Sequence, residues 1–326
     1  MRVLITGGAG YIGSHLALSL AKAQHDIICV DNLRRPLNRA LSGATVTRQV
    51  DIRDTAALCE LMREQKTECV IHLAAVTFPG ESVREPVECY SINVGGTVSV
   101  LQAMLQAGVD RLVFASSCAV YGSCKPGPVG ESAQVAPTSP YGQSKQVAEQ
   151  VIRDVLAANG NVGAFNLRFF NVSGGLSGPA NGGPLTAAAR LIPVAIRSTR
   201  ETNTVVTIHG VDWPTPDGTC IRDFVHIDDI CRGIEVAMHR VRPGCLETVN
   251  LGSGTGHSVL QVIREVEESR GHPVKKASGP RLSGDPAAVT ADITRAKELL
   301  DWIPQASSLR KIVESVRFEQ DIETTC

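Results

Sequence analysis

Val3-Leu4-Ile5-Thr6-Gly7-Gly8-Ala9-Gly10-Tyr11-Ile12-Gly13 opens the chain with a short apolar run, a glycine turn and the start of an amphipathic stretch that reaches Ala23. The run reads as a buried strand and the stretch as a helix. Small residues at Gly7, Gly10 and Gly13 let the backbone approach a pyrophosphate. The N-terminus of a helix beginning at Tyr11 and Ile12 offers free N–H groups and a positive dipole end. A glycine triplet alone is weak. Here it stands between strand and helix, and Asp31 ends the next apolar run, Asp26 to Val30, which makes the pattern specific for a dinucleotide. Asp31 is expected to accept hydrogen bonds from the adenosine ribose. Its carboxylate would repel a 2′-phosphate, so the pattern predicts NAD rather than NADP. Arg34 and Arg35 read as exposed loop charges.

Outward from this turn, strands and helices alternate. Strands are expected at Thr45–Val50, Cys69–Leu73, Arg111–Ala115 and Gly163–Leu167. Helices are expected from Asp54, as a cap, to Glu64, from Val83 to Ala107, and from Tyr141 to Asn159. This alternation predicts an α/β fold, a Rossmann-type doubly wound parallel sheet with helices on both faces. From Asn171 to Gly183 the chain is rich in Gly, Ser, Pro and Asn and reads as a loop. Beyond it the alternation becomes irregular. Strands at Val205–His209 and Thr248–Leu251 and helices at Ser258–Arg270 and Ile293–Leu300 suggest a smaller α/β lobe. The expected division is residues 1–171 for the dinucleotide and 172–326 for a substrate. A return segment is expected near 220–245, with Arg222–Ile227 rejoining the large sheet. Asp51-Ile52 closes the third strand and reads either as facing the adenine or as a helix cap.

Tyr141-Gly-Gln-Ser-Lys145 places a phenol and an ammonium four residues apart on one helix face. A neighbouring ammonium is expected to lower the phenol's pKa from about 10, giving a base suited to a sugar or alcohol hydroxyl. The spacing is common by itself. Downstream of a dinucleotide turn it becomes informative.

With 326 residues, 43% of them hydrophobic and 20% charged, the chain can build a large core. A formal net charge of -1 provides no global field for nucleic acid or membrane lipid. Its 10 Cys lack CxxC spacing or a Cys/His cluster, so neither a metal site nor a disulfide framework is read. Reduced thiols point to the cytoplasm. Glycines interrupt the N-terminal apolar run, which argues against a signal peptide. No apolar run is long enough for a membrane span.

The ordered set of motifs resembles the extended short-chain dehydrogenases/reductases, and among them nucleotide-sugar 4-epimerases of the UDP-galactose 4-epimerase type. The resemblance rests on the glycine turn, Val30-Asp31-Asn32-Leu33, Val50-Asp51-Ile52-Arg53, His72-Leu73-Ala74-Ala75, Asn93-Val94-x-Gly96-Thr97 and Ser116 to Gly122. It continues through Tyr141 to Lys145, Arg168-Phe169-Phe170-Asn171, Asp217 to His226 and Asn250-Leu251-Gly252. It implies that Asn32, Asp51, Ile52, Leu73, Ala74, Ala75 and Asn93 line the NAD site with the glycine turn and Asp31. It implies that Ser117 hydrogen-bonds the C4 hydroxyl, that Tyr141 takes its proton, and that Lys145 supports Tyr141 and holds the nicotinamide ribose. Hydride would leave C4, give a 4-keto sugar, and return to the other face. Asn171, Leu191, Arg222, Arg281 and Asp285 would hold the UDP-sugar, with Arg222 at the diphosphate. Family members form homodimers, and helices near 83–107 and 141–159 are the expected contact.

The chain departs from the pattern in several places. Cys118 and Ala119 stand where related dehydratases and decarboxylases carry an acid, which favours plain epimerisation. Arg190 stands where the family usually has Asn or His. A guanidinium there suits a C5 carboxylate, so the expectation leans to UDP-glucuronate and UDP-galacturonate, with UDP-glucose and UDP-galactose as the alternative. A non-catalytic NAD sensor is a more distant reading. Leu282 takes the place of a usual Arg, leaving Arg281 beside it. Val289 replaces a gatekeeping Tyr and leaves room for an N-acetyl group, and Thr77 replaces a Lys near the cofactor.

Overall fold

The structure, a computed structural model, describes residues 1–34, 44–124, 127–177, 190–282 and 284–318. Arg35 and the expected loop from residue 178 onward lie outside the described residues. The chain forms two compact units. The first comprises Met1–Val120, Ser139–Arg168 and Cys231–Val249; the second comprises Tyr121–Thr138, Phe169–Ile230 and Asn250–Cys326.

The first unit is built on a seven-stranded parallel sheet with flanking helices. Its order is Leu246–Leu251, Gly163–Phe169, Arg111–Ser117, Cys69–His72, Arg2–Thr6, Asp26–Asp31, Val46–Gln49. Arg2 pairs with Asp26 and Thr6 with Val30 on one side, and Val3 pairs with Cys69 and Thr6 with His72 on the other. Both faces of such a sheet are covered, so its strands are continuous apolar runs. Val3, Leu4 and Ile5 are buried, as are Ile27 to Val30. The order reverses between Arg2–Thr6 and Cys69–His72. Ligands of open α/β sheets bind at the carboxyl ends of the strands at such a reversal. Leu4, Ile28, Leu58, Met62, Met104, Phe114 and Ile152 belong to one continuous core cluster of this unit.

Local chemistry explains most of its elements. The carboxylate of Asp54 accepts from Ala57 N at 3.0 Å and starts the helix Thr55–Glu64. The expected single helix from Val83 to Ala107 is instead three helical pieces, Pro79–Arg84, Pro86–Tyr90 and Gly96–Ala107, with a π-helical turn at Ser91–Gly95. Pro86 has no N–H to continue the first piece and disfavours helical backbone at Glu85. The wide turn at Ser91–Gly95 carries the buried Asn93.

The second unit holds the strand Ile221–His226, which was expected to rejoin the large sheet. It pairs instead with Gly256–Ser258, Ala288–Ala291 and Asn171–Ser173. The residues that return to the first unit are Cys231–Val249, which carry most of the helix Ile227–Arg240 and of the strand Leu246–Leu251. Asn171–Ser173, expected as loop, is extended because Phe224, Val225 and His226 supply its ladder. Ile192, Ile196, Ile208, Phe224, Val262, Ile263 and Ile312 are among the residues that form this unit's core.

Asp229, 1% exposed, organises the chain end of the second unit. It accepts from Gln305 N and Ala306 N, each at 2.9 Å, and from Ser307 Oγ at 2.6 Å. Asp229→Ala leaves these buried donors without their acceptor. It is expected to lower unfolding stability by about 2–4 kcal/mol in urea titrations followed by Trp fluorescence.

Candidate active site

The glycine turn is shaped by exclusion of side chains. A Cβ at Gly13 would lie 2.1 Å from Gly7 O, and one at Gly7, whose φ is +71°, would lie 2.8 Å from Ala74 N. Gly10 precedes the helix Tyr11–Lys22 with no side-chain cap, so the N–H groups of Tyr11 and Ile12 carry the dipole's positive end. The Asp31 carboxylate accepts from Ala9 N at 3.0 Å and from Leu33 N at 2.8 Å. Each oxygen retains a lone pair for a further hydroxyl. These residues fit a dinucleotide: a cradle of bare backbone, a helix N-terminus and a carboxylate at the end of the neighbouring strand.

Other predicted cofactor residues border this cradle or support it. Asn32 Oδ1 accepts from Arg34 N at 3.2 Å. Arg34 itself pairs with Glu88 at 2.7 Å. Asp51 is gripped by the Arg53 fork at 2.9 and 2.8 Å, which holds its pKa down at about 2. The following helix is capped by Asp54, so the reading of Asp51 as a cap falls away. Ile52 is buried beneath Gly96, where a Cβ would lie 2.3 Å from Ile52 Cδ1. Leu73 N donates to Thr6 O and Ala74 N to Thr6 Oγ1, which seats Leu73-Ala74-Ala75 beside the first strand. Asn93 acts as a clamp. Its Oδ1 accepts from Val76 N at 2.7 Å, and its Nδ2 donates to Val76 O at 3.0 Å and Ser144 Oγ at 2.8 Å.

Ser117 ends the strand Arg111–Ser117, and Tyr141 and Lys145 lie on the helix Pro140–Ala158. Ser139 caps that helix through Gly142 N at 3.2 Å, and Ser82 Oγ accepts from Tyr141 N at 3.0 Å. Ser117 Oγ accepts from Ala119 N at 3.2 Å, which leaves its own proton free to be donated. The expected lowering of the phenol's pKa by Lys145 is not what this arrangement shows. Burial pushes Tyr141 up to about 12, against the opposing effect of Ser117. Lys145 Nζ instead donates to Ala115 O at 2.8 Å and sits 4.7 Å from the Phe114 ring. Burial lowers its own pKa to about 8.

Four supporting residues, Glu149, Arg168, Ser116 and His72, were missed or undervalued in the sequence. Glu149, one turn beyond Lys145, is buried and accepts from Arg168 Nε at 2.9 Å and NH2 at 2.7 Å. Ser116 Oγ donates to the same carboxylate at 2.5 Å. The spacing Tyr141, Lys145, Glu149 repeats every four residues, and that stripe was the available signal. His72, which lies between Thr6 Oγ1 at 2.7 Å and Thr97 Oγ1 at 3.1 Å, is held neutral, its pKa near about 3 through burial and then the charge of Lys145.

The second unit carries the predicted sugar-nucleotide residues. Asn171 is exposed at the start of its strand. Arg190 is half-buried at the N-cap of the helix Leu191–Arg200. Arg222 lies 3.3 Å from Asp285 through NH2, and its NH1 donates to Ile221 O at 2.9 Å. Two predicted ligands are thus brought together as an ion pair. Arg281 goes elsewhere. Its Nε donates to Asp212 at 2.8 Å, and its guanidinium stacks 4.2 Å from the Trp213 ring. The neighbouring Asp223 accepts from Ser253 N at 2.6 Å, Gly254 N at 2.9 Å and Ala291 N at 3.0 Å.

A profile of the NAD dependent epimerase/dehydratase family matches residues 3–252. A UDP-glucose 4-epimerase of Azospirillum brasilense is 37% identical over 324 residues, covering 99% of this chain and 93% of that protein. The crystal structure of a UDP-glucose 4-epimerase from Stenotrophomonas maltophila, with bound NAD and formylated UDP-arabinopyranose, is similar with a TM-score of 0.91, 33% identity and 100% coverage of both chains. The structure of MoeE5 in complex with UDP-glucuronic acid and NAD is similar with a TM-score of 0.83, 31% identity and 97% coverage of each chain.

The buried ammonium carries a stability cost with a defined pH window. Because the folded pKa is about 8 against 10.5, the unfolded chain binds more protons between those values, and stability rises with pH across them. Lys145→Met is therefore expected to be at least as stable as wild type at pH 7. Its advantage should shrink as pH rises from about 8 towards 10.5 in urea titrations at stepped pH.

Proposed function

The chain belongs to the NAD dependent epimerase/dehydratase family, and from that premise we propose that it interconverts UDP-glucose and UDP-galactose by inverting C4. The observation that carries this reading is the set of Ser117, Tyr141 and Lys145, at the end of one strand and on one face of the helix that packs against it. It belongs to the same unit as a backbone cradle fitted to a dinucleotide. NAD, when bound, supplies the acceptor and donor of the C4 hydride.

The side chains do the rest. Ser117 Oγ orients the C4 hydroxyl and Tyr141 Oη takes and returns its proton. With a phenol pushed up to about 12, a positive charge near the ring is needed to bring the proton transfer into range. Lys145, four residues on and held at Ala115 O, would take the nicotinamide ribose, so that charge would come with the bound NAD. Glu149 and Arg168 fix the helix turn that carries Lys145. Gly7, Gly10, Tyr11, Ile12, Gly13 and Asp31 would hold the dinucleotide, and Arg222 a substrate phosphate. The absence of a carboxyl side chain at Cys118 and Ala119 leaves no acid for elimination.

The named relatives move the main reading from UDP-glucuronate, towards which Arg190 leaned, to UDP-glucose. The uronate remains the second reading. It is supported by the half-buried Arg190 at the start of its helix and by the likeness to MoeE5. Purified protein offered UDP-glucose and UDP-glucuronate separately is expected to turn over the former with the higher kcat/KM; the reverse preference transfers the assignment to the uronate. Tyr141→Phe is expected to lower kcat by about 10²–10⁴-fold while NAD stays bound. A variant that keeps wild-type turnover would overturn the assignment of the base.

We further propose a homodimer and a cytoplasmic setting. Val87 is 82% and Val83 59% exposed. Val87, Tyr90, Val94 and Val147 line a shallow apolar groove on the first unit's helices. Such a face is costly in water and suits a second copy. Val87→Asp is expected to shift the particle to monomer mass in light scattering, with wild type at dimer mass. All described cysteines are free, as suits a reducing compartment, and no described helix is long and apolar enough to cross a membrane.

A further inference from the structure

His25, Glu235 and His239 converge within the first unit, and none of them is assigned above to the dinucleotide or the sugar. His25 stands in the turn between the helix Tyr11–Lys22 and the strand Asp26–Asp31. Glu235 and His239 lie one turn apart on the helix Ile227–Arg240, so they leave it from one face. One ligand atom from each residue lies within 4.8 Å of the others. His25 Nε2 is 3.9 Å from Glu235 Oε1, and those side chains are only 9% and 29% exposed. The rings of His25 and His239 are 5.4 Å apart. His25 Nδ1 is in contact with the Met1 amino group at 3.2 Å, which turns Nε2 towards the carboxylate.

We propose that these three side chains form a site for a divalent cation of the zinc type, with water completing the coordination. Two imidazoles and one carboxylate match the donors zinc takes in three-ligand sites. They disfavour magnesium and calcium, which take oxygen. Bonds of about 2.0–2.1 Å in a tetrahedron place ligand atoms roughly 3.3 Å apart. To hold the ion, the present separations of up to 4.8 Å would have to close to that value through rotamer changes of the exposed His239 and half-buried Glu235. A basic residue such as His239 is common in the last turn of a helix for its own sake. That accounts for one residue and leaves the approach of His25, more than 200 positions earlier in the sequence, unexplained. Bound metal would join the first helix–strand turn to the returning helix, and so stabilise the folded unit by mass action. The inference is independent of the epimerase reading.

The test uses the full chain without an affinity tag, titrated with ZnCl₂ in calorimetry and in thermal unfolding. One-to-one binding and a Tm that climbs with zinc are expected. His239→Ala and Glu235→Gln should each weaken binding about tenfold or more. Both residues reach solvent, so both variants should unfold like wild type without zinc. Co²⁺ substitution distinguishes this site from the cysteines, since thiolate ligands give intense near-ultraviolet charge-transfer bands and imidazoles and carboxylates do not. Absence of saturable binding below about 1 mM zinc, equal affinity in both variants, or thiolate bands would each overturn the proposal.

Discussion

The carbonyl oxygen of Gly7 occupies the space where a side chain at position 13 would begin, and the backbone of Ala74 occupies the space beside Gly7 itself. Three pieces of bare backbone therefore meet: the end of the first strand, the first turn of its helix and the segment after the fourth strand. Their N–H groups and dipoles face one place because nothing larger than hydrogen separates them. Thr6 fastens this meeting by accepting from Leu73 and Ala74. Asp31 fastens it from the other side by accepting from Ala9. The carboxylate that would read the ribose is thus also a structural member of the turn.

The candidate catalytic side chains depend on polar groups that spend their hydrogen bonds on holding backbone. Ser82, Ser139 and Asn93 each bind the helix that carries Tyr141 and Lys145, or the residues next to them. Glu149 and Arg168 neutralise one another one turn further along, and Ser116 adds a third contact next to Ser117. Such a buried pair adds little to net stability, but its geometry is fixed once formed. Lys145 is the exception, a buried ammonium with one carbonyl and a ring face for company. Its placement costs folding energy, which marks it as a candidate functional residue.

Reading the sequence reached far in the first unit because its signals are local. Val3 to Gly13 states strand, turn and helix in eleven residues; Asp54 and Ser139 state where helices begin. The long pattern from Val83 misled, since apolar spacing survives a break at Pro86 and a π-turn that make room for Asn93. Arg222–Ile227 misled in another way. An apolar strand carries no mark of which sheet it will join, and this one found Asn171–Ser173 and Ala288–Ala291. Arg222 and Asp285 were both legible as candidate ligands. Their pairing was not, because more than sixty residues separate them. The phenol's pKa was misjudged because spacing gives proximity along a helix, whereas burial and the direction of an ammonium depend on the strand packed against it.

The sequence by itself determined the parallel sheet, the dinucleotide turn and the choice of NAD, and it named Tyr141 and Lys145 as candidates. Each is encoded by residue types within one or two turns or strands of each other, where backbone geometry leaves few alternatives. Tertiary structure decided which strand joined which sheet, where Lys145 pointed, what Glu149 and Arg168 were for, and that His25 would meet Glu235 and His239. Those outcomes depend on contacts between segments far apart along the chain, whose free energies come from burial and shape that no local pattern records.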